Sequence, residues 1–186
     1  MSLRRGFKAS ANRMSLRLRR SLGLAPEAPI DLDVIARRLD IVIVPLSDFQ
    51  KEYPAIERRL STIDPSAFSA ATVPCGLTRR IIVHNDSHDR RRQRSNISHE
   101  IAHVLLGHPF TLPIDTSGCR NMDRDIEDEA TWLGGVILIS DEAAIHIVRT
   151  AMDTITACRT YDVSAPLLQM RINASGARIR VHRSYH

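Results

Sequence analysis

A chain of 186 residues is long enough for one domain with a real core, alone or with a small appendage. With 43% hydrophobic and 25% charged residues it reads as a soluble globular protein, and no apolar run approaches the roughly 20 residues of a membrane span. The net charge of +5 is local, because seven basic and no acidic residues fall in the first 20, leaving 19 basic against 21 acidic in the rest.

That basic start predicts an amphipathic helix over 9–22, with Met14, Leu16, Leu18 and Leu22 as its apolar contacts. It lacks the apolar core and small-residue cleavage site of a secretory signal. It suits an acidic partner or nucleic acid, or is simply a solvated surface. Pro26 and Pro29 break the chain. Asp31 is a fitting N-cap for a short helix with Leu32, Ile35 and Leu39 on its apolar face. Ile41-Val42-Ile43-Val44 reads as a buried strand closed by Pro45, and a helix through Ile56 and Leu60 follows. Strands are expected over 68–73 and 79–84, joined by a turn at Pro74-Cys75-Gly76. The run Arg90-Arg91-Arg92-Gln93-Arg94 opens the next helix, although the helix dipole opposes positive charge there. Gly107, before Pro109, should end it.

A polar connection over 108–121 leads to a helix over 123–139. Ser140 caps another, over 141–151, with Asp141 and Glu142 in its first turn. Two short helices flank Tyr161-Asp162-Val163-Ser164, the second capped by Ser164 and ended by Gly176, and a short strand is expected over 177–181. Cys75, Cys119 and Cys158 are too few and too scattered for a disulfide framework, which fits a reducing cytoplasm.

The chemistry concentrates in His99-Glu100-Ile101-Ala102-His103, an H-E-x-x-H inside an apolar helical run. Residues four apart lie one above the other on a helix, roughly 6 Å along the axis, so both imidazoles can turn to one metal ion. Glu100, about 100° round the helix, can reach water on that metal without being a ligand. This is the geometry of a zinc hydrolase, which needs a third protein ligand. A third histidine six residues beyond the second is ruled out, since Pro109 stands there. By helical extrapolation His108 lies opposite His99 and is not a ligand. A glutamate from the following helix remains, with two candidates. Glu127 shares its face with Ala130, Thr131 and Gly134, small residues that permit close approach to the metal helix. Glu129 shares its face with Trp132, Leu133 and Val136, which suits packing. Glu127 is preferred and Glu129 is the alternative.

These residues resemble the ImmA/IrrE metallo-endopeptidases. The likeness covers most of the chain: Asp31-Leu32 with Ile35-Ala36, Ile81-Ile82-Val83 with Asn85, His99-Glu100-x-x-His103 with His108, Glu127-x-x-Ala130 with Ile137-Leu138, and Tyr161-x-Val163-Ser164 with Arg171. The resemblance implies an α+β, zincin-like fold in which a small mixed sheet packs on a helical layer carrying the H-E-x-x-H helix. It further implies site-specific proteolysis of a transcriptional repressor of the helix-turn-helix kind, in the cytoplasm. The expected organisation is a basic arm over 1–30, a catalytic domain over 31–152 and a C-terminal helical pair over 153–186. One Zn2+ per chain would be held by His99, His103 and Glu127, with Glu100 as general base. The strand over 79–84 would bind an extended substrate as an added strand through Ile82, Val83 and His84. His84 and Tyr161 are the candidates for a second oxyanion donor. A competing reading makes the stretch from Ile155 to Arg171 a DNA-binding helix-turn-helix beside a structural or vestigial zinc. Its second helix offers Arg171 and few other donors, which argues against direct base readout.

Overall fold

The computed structural model describes residues 3–76, 79–109 and 123–184; most of the expected connection over 108–121, including Cys119, lies outside them. The chain divides into two compact units, one of residues 31–127 and one of residues 1–30 with 128–186. Residues 1–30 fall in the same unit as the C-terminal helices.

Helix α2 (Leu32–Arg38) starts where Asp31 accepts a hydrogen bond from the Asp33 amide, as the sequence predicts. Strand β1 (Ile41–Pro45) follows. Helix α3 (Pro54–Arg58) is shorter than expected and gives way to a wider turn over Arg59–Ile63. Strands β2 (Ala70–Cys75) and β3 (Arg79–His84) then lead to the long helix α4 (Arg90–Leu106). The sheet order is β1-β3-β2, with β3 parallel to β1 and antiparallel to β2.

Register assigns the two faces of this sheet. Ile43, Ile82 and Thr72 are aligned across the three strands, flanked by Pro45, His84 and Ala70. Ile82 is fully buried on this face, and Thr72 is hydrogen-bonded to a side chain of α4, so this is the face that α4 covers. The opposite face carries Val42, Ile81 and Val73, of which Val42 and Val73 are exposed. Buried Asn85, just after β3, donates to the Leu60 and Phe68 carbonyls and accepts from the Ser87 amide, tying down the chain that precedes β2. Asp89 caps α4 by accepting from the Arg91 amide, which supplies the negative charge that the arginine run lacks. Gly107, with φ 68°, ends α4 in the left-handed conformation, which a residue with a Cβ adopts only at a cost.

The second unit contains α1 (Phe7–Ser21), the helix α5 (Arg124–Leu138) from Asp128 onward, α6 (Asp141–Arg149), α7 (Thr154–Thr160), α8 (Ala165–Ala174) and α9 (Ala177–Arg183). The strand expected over 177–181 is the helix α9 instead. Val181 and Ala177 face inward four residues apart, a helical period, while Ile179 is exposed. Helix α1 buries Phe7, Ala11, Ser15, Leu18 and Arg19 rather than Met14 and Leu16. Its tertiary partners decide the face. Ser15 Oγ donates to the Val136 carbonyl, Arg19 Nη2 to the Ile137 carbonyl at 2.8 Å, and Asn12 Oδ1 accepts from the Asp141 amide. Arg171 Nε likewise donates to the Ile139 carbonyl, and its Nη2 to Asp141.

The last turn of α5 holds no basic residue, so these two arginines, with Ser15, satisfy carbonyls at its end, and their charge complements its dipole. Burial pushes the Arg19 guanidinium down to about 10, which still leaves it charged at neutral pH. Gly135 lets α8 approach closely: a Cβ there would meet Arg171 Cδ and Met170 Cε at 3.4 Å. Among the described residues no single helix is long and apolar enough to cross a membrane.

Replacing Arg19 by Met should therefore destabilise the protein by about 2–4 kcal/mol, because buried carbonyls lose their donor. Urea unfolding of Arg19→Met against Arg13→Met, an exposed arginine of the same helix, provides the check.

Candidate metal centre

Helix α4 carries two of the three converging groups. Ile97, Ile101 and Ala102 are buried and hold one side of the helix against the rest of its unit. His99 and His103, one turn apart, bring their Nε2 atoms to 2.9 Å from each other. Glu127, on the first turn of α5, completes the group: its Oε2 lies 3.2 Å from His99 Nε2 and its Oε1 3.5 Å from His103 Nε2. One donor atom from each residue lies within 4.8 Å of the other two.

These distances test the fit to a metal. Ligand atoms about 2.0–2.1 Å from a tetrahedral zinc lie roughly 3.3 Å from one another. The observed separations of 2.9, 3.2 and 3.5 Å bracket that value, and two imidazoles with one carboxylate form a donor set proper to zinc. Hydrogen bonds from His103 and then His99 hold the Glu127 carboxyl far below the usual carboxylate range, outweighing its partial burial. The carboxylate is thus already charged for a cation. Glu129, the alternative ligand, is buried and ion-paired with Arg4 at 3.0 Å. The two glutamates sit two positions apart on α5 and so face different ways.

Two neighbours complete the description. The Thr72 hydroxyl on β2 donates to Glu100 Oε2 at 2.7 Å. No spacing in the sequence links Thr72 to Glu100. Its one local mark is a hydroxyl within the strand stretch Ala70-Ala71-Thr72-Val73, which carries no other polar side chain. His103 Nδ1 lies 3.0 Å from His108 Nδ1.

Of the residues expected to bind substrate, Ile82, Val83 and His84 lie on β3. Strand β3 is paired on both sides, so it offers no edge for an added strand; the outer strands of the sheet are β1 and β2. Ile82 is fully buried beneath α4, and Val83 points to the other face. His84 is buried, which lowers its pKa and favours the neutral ring. Tyr161 is buried in the unit of residues 1–30 with 128–186, and its hydroxyl donates to the Glu27 carbonyl at 2.9 Å. Arg171, the one strong donor of the helix-turn-helix reading, is buried against the Ile139 carbonyl and Asp141 and cannot reach a base edge.

A helix-borne H-E-x-x-H with a carboxylate from the next helix is the donor arrangement of a metallopeptidase. The sequence pattern of the IrrE N-terminal-like domain, Peptidase_M78, matches residues 36–173, and the chain belongs to this family of ImmA/IrrE-type metallopeptidases. The match runs through α7 and into α8, so these helices are part of the family domain. No curated protein and no solved structure matches the chain.

Glu127→Ala should abolish stoichiometric zinc binding, whereas Glu129→Ala, which removes a partner of Arg4, should retain it. Elemental analysis of the two purified variants after zinc loading and desalting distinguishes them.

Proposed function

We propose that this chain is a zinc-dependent endopeptidase that cleaves a helix-turn-helix transcriptional repressor at one exposed segment. The observation that carries the peptidase reading is the convergence of His99, His103 and Glu127 at zinc-ligand spacing, with Glu100 beside it on the same helix. His99, His103 and Glu127 would hold one zinc per chain, the pattern of three protein ligands that leaves a position open for water or substrate. When bound, zinc supplies Lewis acidity to the scissile carbonyl and acidifies the attacking water.

The remaining work falls to the chain's own groups. Glu100 is the general base: it takes the proton from water and can return it to the leaving amine. Thr72 occupies one carboxylate oxygen, Oε2, which limits the carboxylate to one rotamer and leaves Oε1 for the proton. Strand β2, at the edge of the sheet, is the surface on which an extended substrate segment would pair. Because Thr72 lies on that strand, substrate pairing and base orientation share one element. The preference for a repressor rests on the ImmA/IrrE type of the family match. Specificity for one folded partner requires contacts remote from the scissile bond, and these place that bond while leaving other peptides badly oriented.

Glu100→Gln should keep its zinc and lose on the order of 10²–10⁴-fold in cleavage rate, since an amide cannot accept the proton. Thr72→Val should also keep zinc and lose on the order of tenfold in kcat, with Thr72→Ser restoring it. Steady-state cleavage of the cognate protein, with zinc content measured in parallel, checks both.

For the substrate, the zinc-loaded protein should cleave a repressor encoded beside its gene and leave unfolded casein largely intact. Gel analysis of both digests is the measurement. Rapid casein digestion with every neighbouring repressor intact would refute the specificity while sparing the zinc chemistry.

A further inference from the structure

We infer that His108 is the positioning residue that locks His103 as a metal ligand, an inference resting on the metal reading above. His103 turns Nε2 into the donor cluster, so as a ligand it spends that nitrogen's lone pair on the metal. Its one N–H must then sit on Nδ1, and that nitrogen lies 3.0 Å from His108 Nδ1. The rings meet edge-on, with centroids 5.0 Å apart and planes at 71°, which suits an in-plane N–H···N bond rather than stacking. Imidazole lone pairs accept along the ring plane, so His108 must hold its own hydrogen on Nε2. One hydrogen bond therefore sets the tautomer of both rings.

Ligating histidines ordinarily donate their second N–H to a carboxylate, a carbonyl or water. Here the acceptor is a neutral ring. It fixes the orientation of His103 without adding negative charge to a site whose charge already comes from Glu127.

Backbone geometry explains why His108 can serve. Extrapolated along an ideal helix, it would lie far from His99. The helix stops at Leu106, however, and Gly107 at φ 68° turns the chain back. The His108 amide then donates to the His103 carbonyl at 3.1 Å, the six-residue closure that ends many helices at a glycine. His108 is thus bound to His103 twice, by main chain and by ring. The pair Gly107-His108 acts as one device: the glycine permits the turn that the histidine exploits.

The test measures zinc affinity of the full chain by competition with a chromophoric chelator, and the visible spectrum of the cobalt-substituted protein. Asn in place of His puts an amide oxygen near the position of Nδ1, whereas Leu keeps bulk and offers no acceptor. His108→Leu should bind zinc about 10–100-fold more weakly and shift the cobalt bands; His108→Asn should stay within roughly threefold of wild type. Wild-type affinity in His108→Leu, or equal weakening in both variants, overturns the inference. If wild type binds one zinc that His99→Ala removes, yet His108→Leu is unaffected, only the role of His108 fails. If wild type binds no zinc, the metal reading fails and takes this inference with it.

Discussion

Two ring nitrogens and a carboxylate converge at His99, His103 and Glu127, 2.9–3.5 Å from one another. The carboxylate at this point has to be met either by N–H groups of the imidazoles or by a cation that all three groups share. Much of the unit over 31–127 bears on that constraint. The buried residues Ile97, Ile101 and Ala102 keep α4 from rotating. Asp89 starts the helix despite the arginines that follow, and Gly107 ends it where His108 can return to His103. A hydroxyl from the sheet, Thr72, holds Glu100. Each contact restricts a side chain whose direction, rather than mere presence, determines whether the cluster can bind a metal.

The other unit meets a different demand. The C-terminal part of α5 is apolar and buried, and its last turn holds no basic residue. Its carbonyls would be left unsatisfied in a dry environment, at a cost of about 1–3 kcal/mol each. Arg19 and Arg171 answer from positions 118 and 32 residues away in sequence from the carbonyls they reach. Both are fully or almost fully buried, although isolated arginines are rarely so. The cost of burying these cations is offset by backbone acceptors, by Asp141 beside Arg171, and by the Trp132 ring 5.4 Å from the Arg171 guanidinium. A basic N-terminal segment that looks like a docking arm in sequence thus contributes one of its arginines to the inside of the fold.

Sheet order has a similar consequence for substrate recognition. An apolar strand just before the metal helix is an attractive place to bind a peptide, and β3 fits that description. Being central, it has already spent its backbone groups on β1 and β2. The outer strands are β1 and β2, and β2, whose pattern is less hydrophobic, carries the Thr72 that hydrogen-bonds Glu100. Position in the sheet, which depends on pairings between distant segments, overrides the local appeal of the sequence.

Much of the site was legible in the chain because its signals are local. The i, i+4 spacing of His99 and His103 needs only a helix. Asp31, Ser140 and Ser164 announce helix starts through hydrogen bonds to amides two or three residues on, and Gly107 announces a stop through its own φ. The preference for Glu127 over Glu129 followed from the faces of one helix. What the sequence could not determine depends on segments that meet only in three dimensions. Thr72 and Glu100 are 28 residues apart, and no spacing rule connects a strand hydroxyl to a helix carboxylate. The inward turn of Arg19, the helical rather than extended path of 177–183, and the burial of Tyr161 are likewise settled by partners that bury or satisfy them. Local periodicity specifies which residues share a face; only tertiary packing specifies what that face meets, because the free energy of burial and of satisfying a polar group belongs to the contact and not to the residue.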